Sequence, residues 1–163
     1  MLPNMETAVN LVMDGHPLIG ERVCVFGLGV VGLLTTAVLN ATGLESLTTF
    51  DTFDVRRDAS VRLGAHRSID PAQIAECSSD NVPNAFGDVL GSADLTFELS
   101  GNPEALNSAI EVTGFAGRII VGSWYGSKTA EINLGGSFHR SRLKICSSQV
   151  STIAPEFSAR WTK

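Results

Sequence analysis

Cysteine is scarce, with three in 163 residues at positions 24, 77 and 146. So small, odd and scattered a set argues against a disulfide framework and for a reducing compartment. No apolar run approaches the roughly 18 residues of a membrane span. The longest, from Val30 through Leu34 and onward, is interrupted by Thr35, Thr36 and Asn40. Positive charge is in deficit: 12 Lys and Arg against 17 Asp and Glu give a net charge of −5 and a pI near 5.1. The electrostatic footprint of a nucleic-acid binder is therefore missing. No basic segment followed by an apolar stretch opens the chain, so no signal peptide is expected and the default location is cytoplasmic. No Cys-x-x-Cys, histidine pair at helical spacing, P-loop or Gly-x-Ser-x-Gly occurs.

What remains is an ordinary globular composition, 44% hydrophobic and 18% charged, with the length of one domain. Apolar residues at 5, 8, 9, 12 and 13 predict a first helix, stopped by Asp14-Gly15-His16-Pro17. A short apolar run of β-formers predicts a strand at Arg22–Gly27, and further strands are read at Ser46–Asp51, Arg67–Asp70, Asp94–Ser100, Gly117–Gly122 and Leu143–Val150. Helices are predicted at Leu33–Thr42, Val55–Leu63 and Pro103–Val112, and a loop at 77–88. Strands alternating with helices imply an α/β fold with a doubly wound parallel six-stranded sheet of Rossmann type, strand order 3-2-1-4-5-6.

Gly27-Leu28-Gly29-Val30-Val31-Gly32 matches G-x-G-x-x-G. Sixteen glycines make chance matches possible, but this one follows a predicted strand and opens a predicted helix, as dinucleotide binding requires. Gly27 permits the tight turn, Gly29 the approach of a pyrophosphate, and Gly32 close packing of helix on strand. The helix N-terminus offers unpaired N–H groups to the phosphates. Asp51 ends the second predicted strand, where an acid can accept hydrogen bonds from a ribose and repel a 2′-phosphate. That favours NAD. Arg56 and Arg57 follow closely and keep NADP possible. Ser100-Gly101-Asn102 and Gly122-Ser123-Trp124 follow the fourth and fifth strands and are placed to flank the ribose and nicotinamide; ordinary turn chemistry is the alternative for the same residues. Trp124 and Tyr125 either pack beside a ring or cover the sheet edge.

The run Gly20-Glu-Arg-Val-Cys-Val-Phe-Gly-Leu-Gly-Val-Val-Gly32 resembles the start of the cofactor domain in medium-chain dehydrogenase/reductases, the zinc alcohol dehydrogenase superfamily. Phe97-Glu-Leu-Ser-Gly-Asn102, Leu63-Gly-Ala65 and Gly117-Arg-Ile-Ile-Val-Gly122 fit the same pattern, over roughly residues 1–150. The resemblance implies an NAD(P)-binding domain over 1–153, with 154–163 a tail leading toward a catalytic domain. It places cofactor contacts at Gly27, Leu28, Gly29, Val30, Val31, Gly32, Asp51, Arg56, Ser100, Gly101, Gly122 and Ser123. It also implies hydride transfer at nicotinamide and a possible homodimer through the strand-six edge.

The departures are as informative. The family's GroES-like catalytic domain, with its zinc ligands and substrate pocket, is expected to be absent from this chain. The position of the last zinc ligand falls near Pro3, which cannot ligate, and nearby Glu6 reads as a first-turn helix acid. Zinc is thus not expected in this chain, and no residue is assigned a catalytic role. Cys24 and Cys146 read as buried core thiols. His139, Arg140, Arg142 and Lys144 form a basic cluster that either meets a phosphate or stays solvated. Whether the chain is itself an enzyme stays open. One expectation is the cofactor half of an alcohol or polyol dehydrogenase-like oxidoreductase. The alternative is a standalone dinucleotide-binding module or a truncated inactive product.

Overall fold

The computed structural model describes residues 2–73, 92–154 and 157–158. The loop expected at 77–88, with Cys77, lies outside the described residues. The chain runs α1 (Leu2–Gly15), β1 (Arg22–Phe26), α2 (Val30–Leu39), β2 (Ser46–Phe50), α3 (Asp54–Arg62), β3 (Arg67–Ile69), β4 (Ala93–Glu98), α4 (Ala105–Val112), β5 (Thr113–Val121) and β6 (Lys144–Ser147). A π-helical turn, Leu134–Phe138, precedes β6. All strand pairs are parallel and the sheet order is β3-β2-β1-β4-β5-β6. The predicted doubly wound Rossmann topology is thus the observed one.

Strand alternation sorts side chains between two cores. Val23, Val25, Leu47, Leu95, Phe97 and Ile120 join Leu11 and Val12 of α1 and Leu39 of α2 on one face. Cys24, Phe26, Phe50, Ile69 and Ile119 meet Ala109, Ile110 and Val112 of α4 on the other. Each fully buried Phe or Leu contributes about 1.5–3 kcal/mol. A polar seam joins α3 to the sheet. The buried Ser60 hydroxyl lies 2.8 Å from Thr49 Oγ1 and 3.1 Å from Ser68 Oγ.

Several boundaries moved. Helix α2 begins at Val30 rather than Leu33, because Gly29 serves as its N-cap. It ends at Leu39, whose carbonyl accepts the Thr42 hydroxyl at 2.6 Å. Strand β5 begins at Thr113, directly after α4, and runs past a register shift opposite Ala93–Leu95. Glu6 is exposed and lies beyond the first turn of α1, which starts at Leu2. Cys24 is buried, and burial pushes its thiol up to about 12. Cys146 is exposed, contrary to the expectation of a core thiol, because β6 is an edge strand of which only Ile145 is partly buried.

Candidate functional site

The site lies beyond the carboxyl ends of the strands, where the chain order reverses between β1 and β4. Phe26 and Phe50 end β1 and β2 in register, and their rings stack at 4.3 Å with 7° between planes. They floor a cleft of about 370 Å³, walled by Gly27, Gly29, Asp51, Phe53, Arg56, Ser100, Asn102, Glu104 and Ser108 among others.

The three fingerprint glycines have three different reasons to be glycine. Gly27 has φ +88°, and an added Cβ would lie 2.4 Å from Ser100 Cα, so the turns after β1 and β4 touch there. A Cβ on Gly32 would lie 1.9 Å from the Gly27 carbonyl oxygen. A Cβ on Gly29 would meet no protein atom within 4 Å. The space above Gly29 opens into the cleft, in front of the first N–H groups of α2. Those of Val30, Val31 and Gly32 have no intrahelical acceptor. This arrangement fits a pyrophosphate.

Asp51 is 7% exposed. Its Oδ2 accepts the Leu28 N–H at 2.8 Å and its Oδ1 accepts the Phe53 N–H at 2.9 Å. Arg56 lies over the Phe53 ring at 4.6 Å and brings Nη1 to 3.5 Å from Asp51 Oδ2. Arg57 serves a different purpose. It donates to the Asp51 carbonyl oxygen at 2.7 Å and pairs with Asp54 and Asp70, and it does not line the cleft.

A second cavity, about 810 Å³, opens beyond β5 and β6 and is lined by Leu11, Gly122, Ser123, Trp124, Tyr125, Lys128 and Ser148 among others. Trp124 is 92% exposed, so it borders this cavity and covers no sheet edge. Glu98, the last residue of β4, is fully buried and bonds to one wall residue of each cavity, Ser100 and Tyr125. Its Oε1 accepts the Ser100 N–H at 2.8 Å and the Ser100 hydroxyl, and its Oε2 accepts the Tyr125 hydroxyl. Burial first, then the hydrogen bond and charge of Glu98, push the Tyr125 phenol well above its ordinary value. The Gly101 N–H donates to Ser123 Oγ at 2.8 Å and Lys128 Nζ to the Gly101 carbonyl at 2.8 Å, closing the two turns on each other.

The structure therefore brings Gly27, Gly29, Asp51, Arg56 and Ser100 to one cleft and Gly122 and Ser123 to the neighbouring cavity. Leu28 is wholly buried in the core and presents only backbone, and Val31 packs against the same core. Val30 is exposed at the start of α2. Gly122 also has a packing reason, since a Cβ there would lie 2.5 Å from Leu11 Cδ2. His139, Arg140, Arg142 and Lys144 are exposed and line neither cavity. Glu98, Phe53 and Ser108 were not anticipated. Glu98 is one of several polar residues in the predicted strand Asp94–Ser100, and Phe53 and Ser108 carry no motif. Among the described residues, no group of three or more His, Cys, Asp or Glu is placed to hold a metal ion. No described helix is long and apolar enough to cross a membrane.

Fold and site together define a Rossmann domain of the dehydrogenase kind. The model of the zinc-binding dehydrogenase family matches residues 30–162, and the chain belongs to that family, within the medium-chain dehydrogenase/reductase superfamily; the matched part is its cofactor-binding domain. L-threonine 3-dehydrogenase of Caldanaerobacter subterraneus subsp. tengcongensis is 30% identical over 118 residues, covering 72% of this chain and 32% of that protein. A zinc-binding dehydrogenase from Sinorhizobium meliloti bound to NADP superposes with a TM-score of 0.76 at 20% identity, over 89% of this chain and 42% of the other. A short chain alcohol dehydrogenase from E. coli CFT073 complexed with NADH superposes with a TM-score of 0.73 at 21% identity, over 96% and 44%. The chain spans about a third of the length of the curated relatives it matches.

Proposed function

We propose that the chain binds an NAD(P)-type dinucleotide across the ends of β2, β1, β4 and β5, as the cofactor half of an alcohol or polyol dehydrogenase-like oxidoreductase. The observation that carries this reading is the empty volume over Gly29. It faces the open amides of α2 and is bounded by Asp51 on one side and Ser100 on the other. On this reading the adenosine ribose lies at Asp51, the pyrophosphate over Gly29, Val30, Val31 and Gly32, and the nicotinamide end at Ser100, Gly101, Gly122 and Ser123. When bound, the nicotinamide supplies the hydride donor or acceptor. The chain's own residues bind and orient. Leu28 and Phe53 hold the Asp51 carboxylate at the mouth of the cleft. Gly101 and Ser123 clasp the turn that walls the cleft to the turn that walls the second cavity.

The reading includes a preference for NAD. The Asp51 carboxylate disfavours a 2′-phosphate, and Arg56, the nearby cation that could welcome one, is already drawn toward that carboxylate. Residues 1–153 form the binding domain on this reading, and 154–163 lead toward a GroES-like catalytic domain that supplies zinc and the substrate pocket. The exposed β6 edge is where two copies would pair.

Calorimetric titration of the chain with NADH and NADPH tests the proposal. Saturable binding with NADH tighter is the expected result. Binding of neither at millimolar concentration contradicts it.

A further inference from the structure

Glu98 raises a question that the binding reading leaves open. Its side chain is fully buried, yet among the described residues it forms no ion pair. Lys128, on the facing turn, directs its ammonium to the Gly101 carbonyl instead. Three donors converge on the carboxylate: the Ser100 N–H, the Ser100 hydroxyl and the Tyr125 hydroxyl. That is the surrounding of an ionised acceptor. Desolvating a carboxylate without a counter-charge is costly, and Gln would keep an acceptor for Ser100 without that charge. The carboxylate also bonds to a wall residue of each cavity, Ser100 of one and Tyr125 of the other.

The geometry points to Glu98 as the residue that sets the balance between oxidised and reduced dinucleotide, its carboxylate providing the counter-charge for the cationic nicotinamide ring. This rests on the binding reading above. The oxidised ring carries a positive charge and the reduced ring none, so a fixed negative charge behind the wall residues Ser100 and Tyr125 stabilises one form and leaves the other nearly untouched. Low polarisability around a buried charge strengthens the effect. Glu98 is a positioning and electrostatic residue here; it touches Ser100 and Tyr125, which border the cavities.

The test is calorimetry of NAD+ and NADH binding to the wild-type chain, Glu98→Gln and Tyr125→Phe, with thermal melts confirming the fold. Gln keeps the shape and the acceptor toward Ser100. The ratio Kd(NAD+)/Kd(NADH) is expected to rise about tenfold in Glu98→Gln, the order set by one unit charge at molecular distance in a medium of effective dielectric near 20. That corresponds to about 30 mV in the potential of the bound two-electron couple. Tyr125→Phe removes a donor that disperses the charge and is expected to lower the ratio. Equal weakening of both forms in Glu98→Gln would show a purely structural role and overturn the inference while leaving dinucleotide binding intact. A ratio unchanged or raised in Tyr125→Phe overturns it too, and that variant decides the matter if Glu98→Gln does not fold. Binding of neither form by the wild-type chain overturns the binding reading itself.

Discussion

The Asp51 carboxylate accepts the backbone N–H of Leu28 at 2.8 Å, so the residue expected to meet the ribose also anchors the glycine turn. The two roles separate on mutation. In Asp51→Ala the buried amide loses its acceptor, and the melt should show a loss of about 1–3 kcal/mol. NADH binding, followed through the fluorescence of exposed Trp124, should weaken at least about tenfold, the weight of one or more hydrogen bonds to a charged group. A variant that melts early yet binds NADH normally would confine Asp51 to the structural role.

Gly29 and Gly32 should respond oppositely to alanine. A Cβ at 32 would sit 1.9 Å from the Gly27 carbonyl, so Gly32→Ala should destabilise the fold by roughly 2 kcal/mol or more. A Cβ at 29 meets no protein atom within 4 Å, so Gly29→Ala should melt within about 1 kcal/mol of wild type. Its NADH affinity should nevertheless fall, because the methyl occupies the space assigned to the pyrophosphate. Paired melts and titrations check both.

Arg118 ties the start of the molecule to β5. It pairs with Glu21 through two contacts of 2.7 Å and donates to the carbonyls of Gly15 at 2.7 Å and His16 at 2.8 Å. Burial alone would raise the Glu21 pKa. Hydrogen bonds from Arg118 and Leu18, with the charges of Arg118 and His16, outweigh it and hold the carboxyl below its ordinary 4.5. The stability from this pair is therefore complete above pH 4.5 and is lost as the pH falls through the lower folded-state value. Acid unfolding of Glu21→Gln should be correspondingly less steep, and a wild-type slope would refute the assignment. Arg118→Met should cost roughly 2 kcal/mol at neutral pH.

The thiols provide a check on the edge strand. In a Cys77→Ser background, Cys146 should react quickly with a thiol reagent in dilute native protein, and Cys24 only on unfolding. Raising the chain concentration should slow the Cys146 reaction if copies pair along β6. A rate independent of concentration would remove that edge from the proposed dimer.

The topology was legible because β1, β2 and β4 are short runs buried on both faces, separated by helices with glycine or proline at their ends. Gly27 and Gly32 were legible too, since a strand–turn–helix with that spacing has one steric solution. Less could be read where context decides. Glu98 looks like one polar residue in Ala93–Glu98, and only the fold brings Tyr125 across to it. Cys146 sits in a run predicted as a strand, and no local pattern shows that this strand is an edge of the described sheet. Arg56 and Arg57 are indistinguishable by type, yet helix geometry turns one toward the cleft and the other to Asp54 and Asp70.

The most direct test of the central claim is the amide NMR spectrum of the chain with and without NADH. The account predicts saturable shifts concentrated at Leu28–Gly32, Asp51, Ser100, Gly101, Gly122 and Ser123. Shifts gathered elsewhere, or none at saturating NADH, would contradict it.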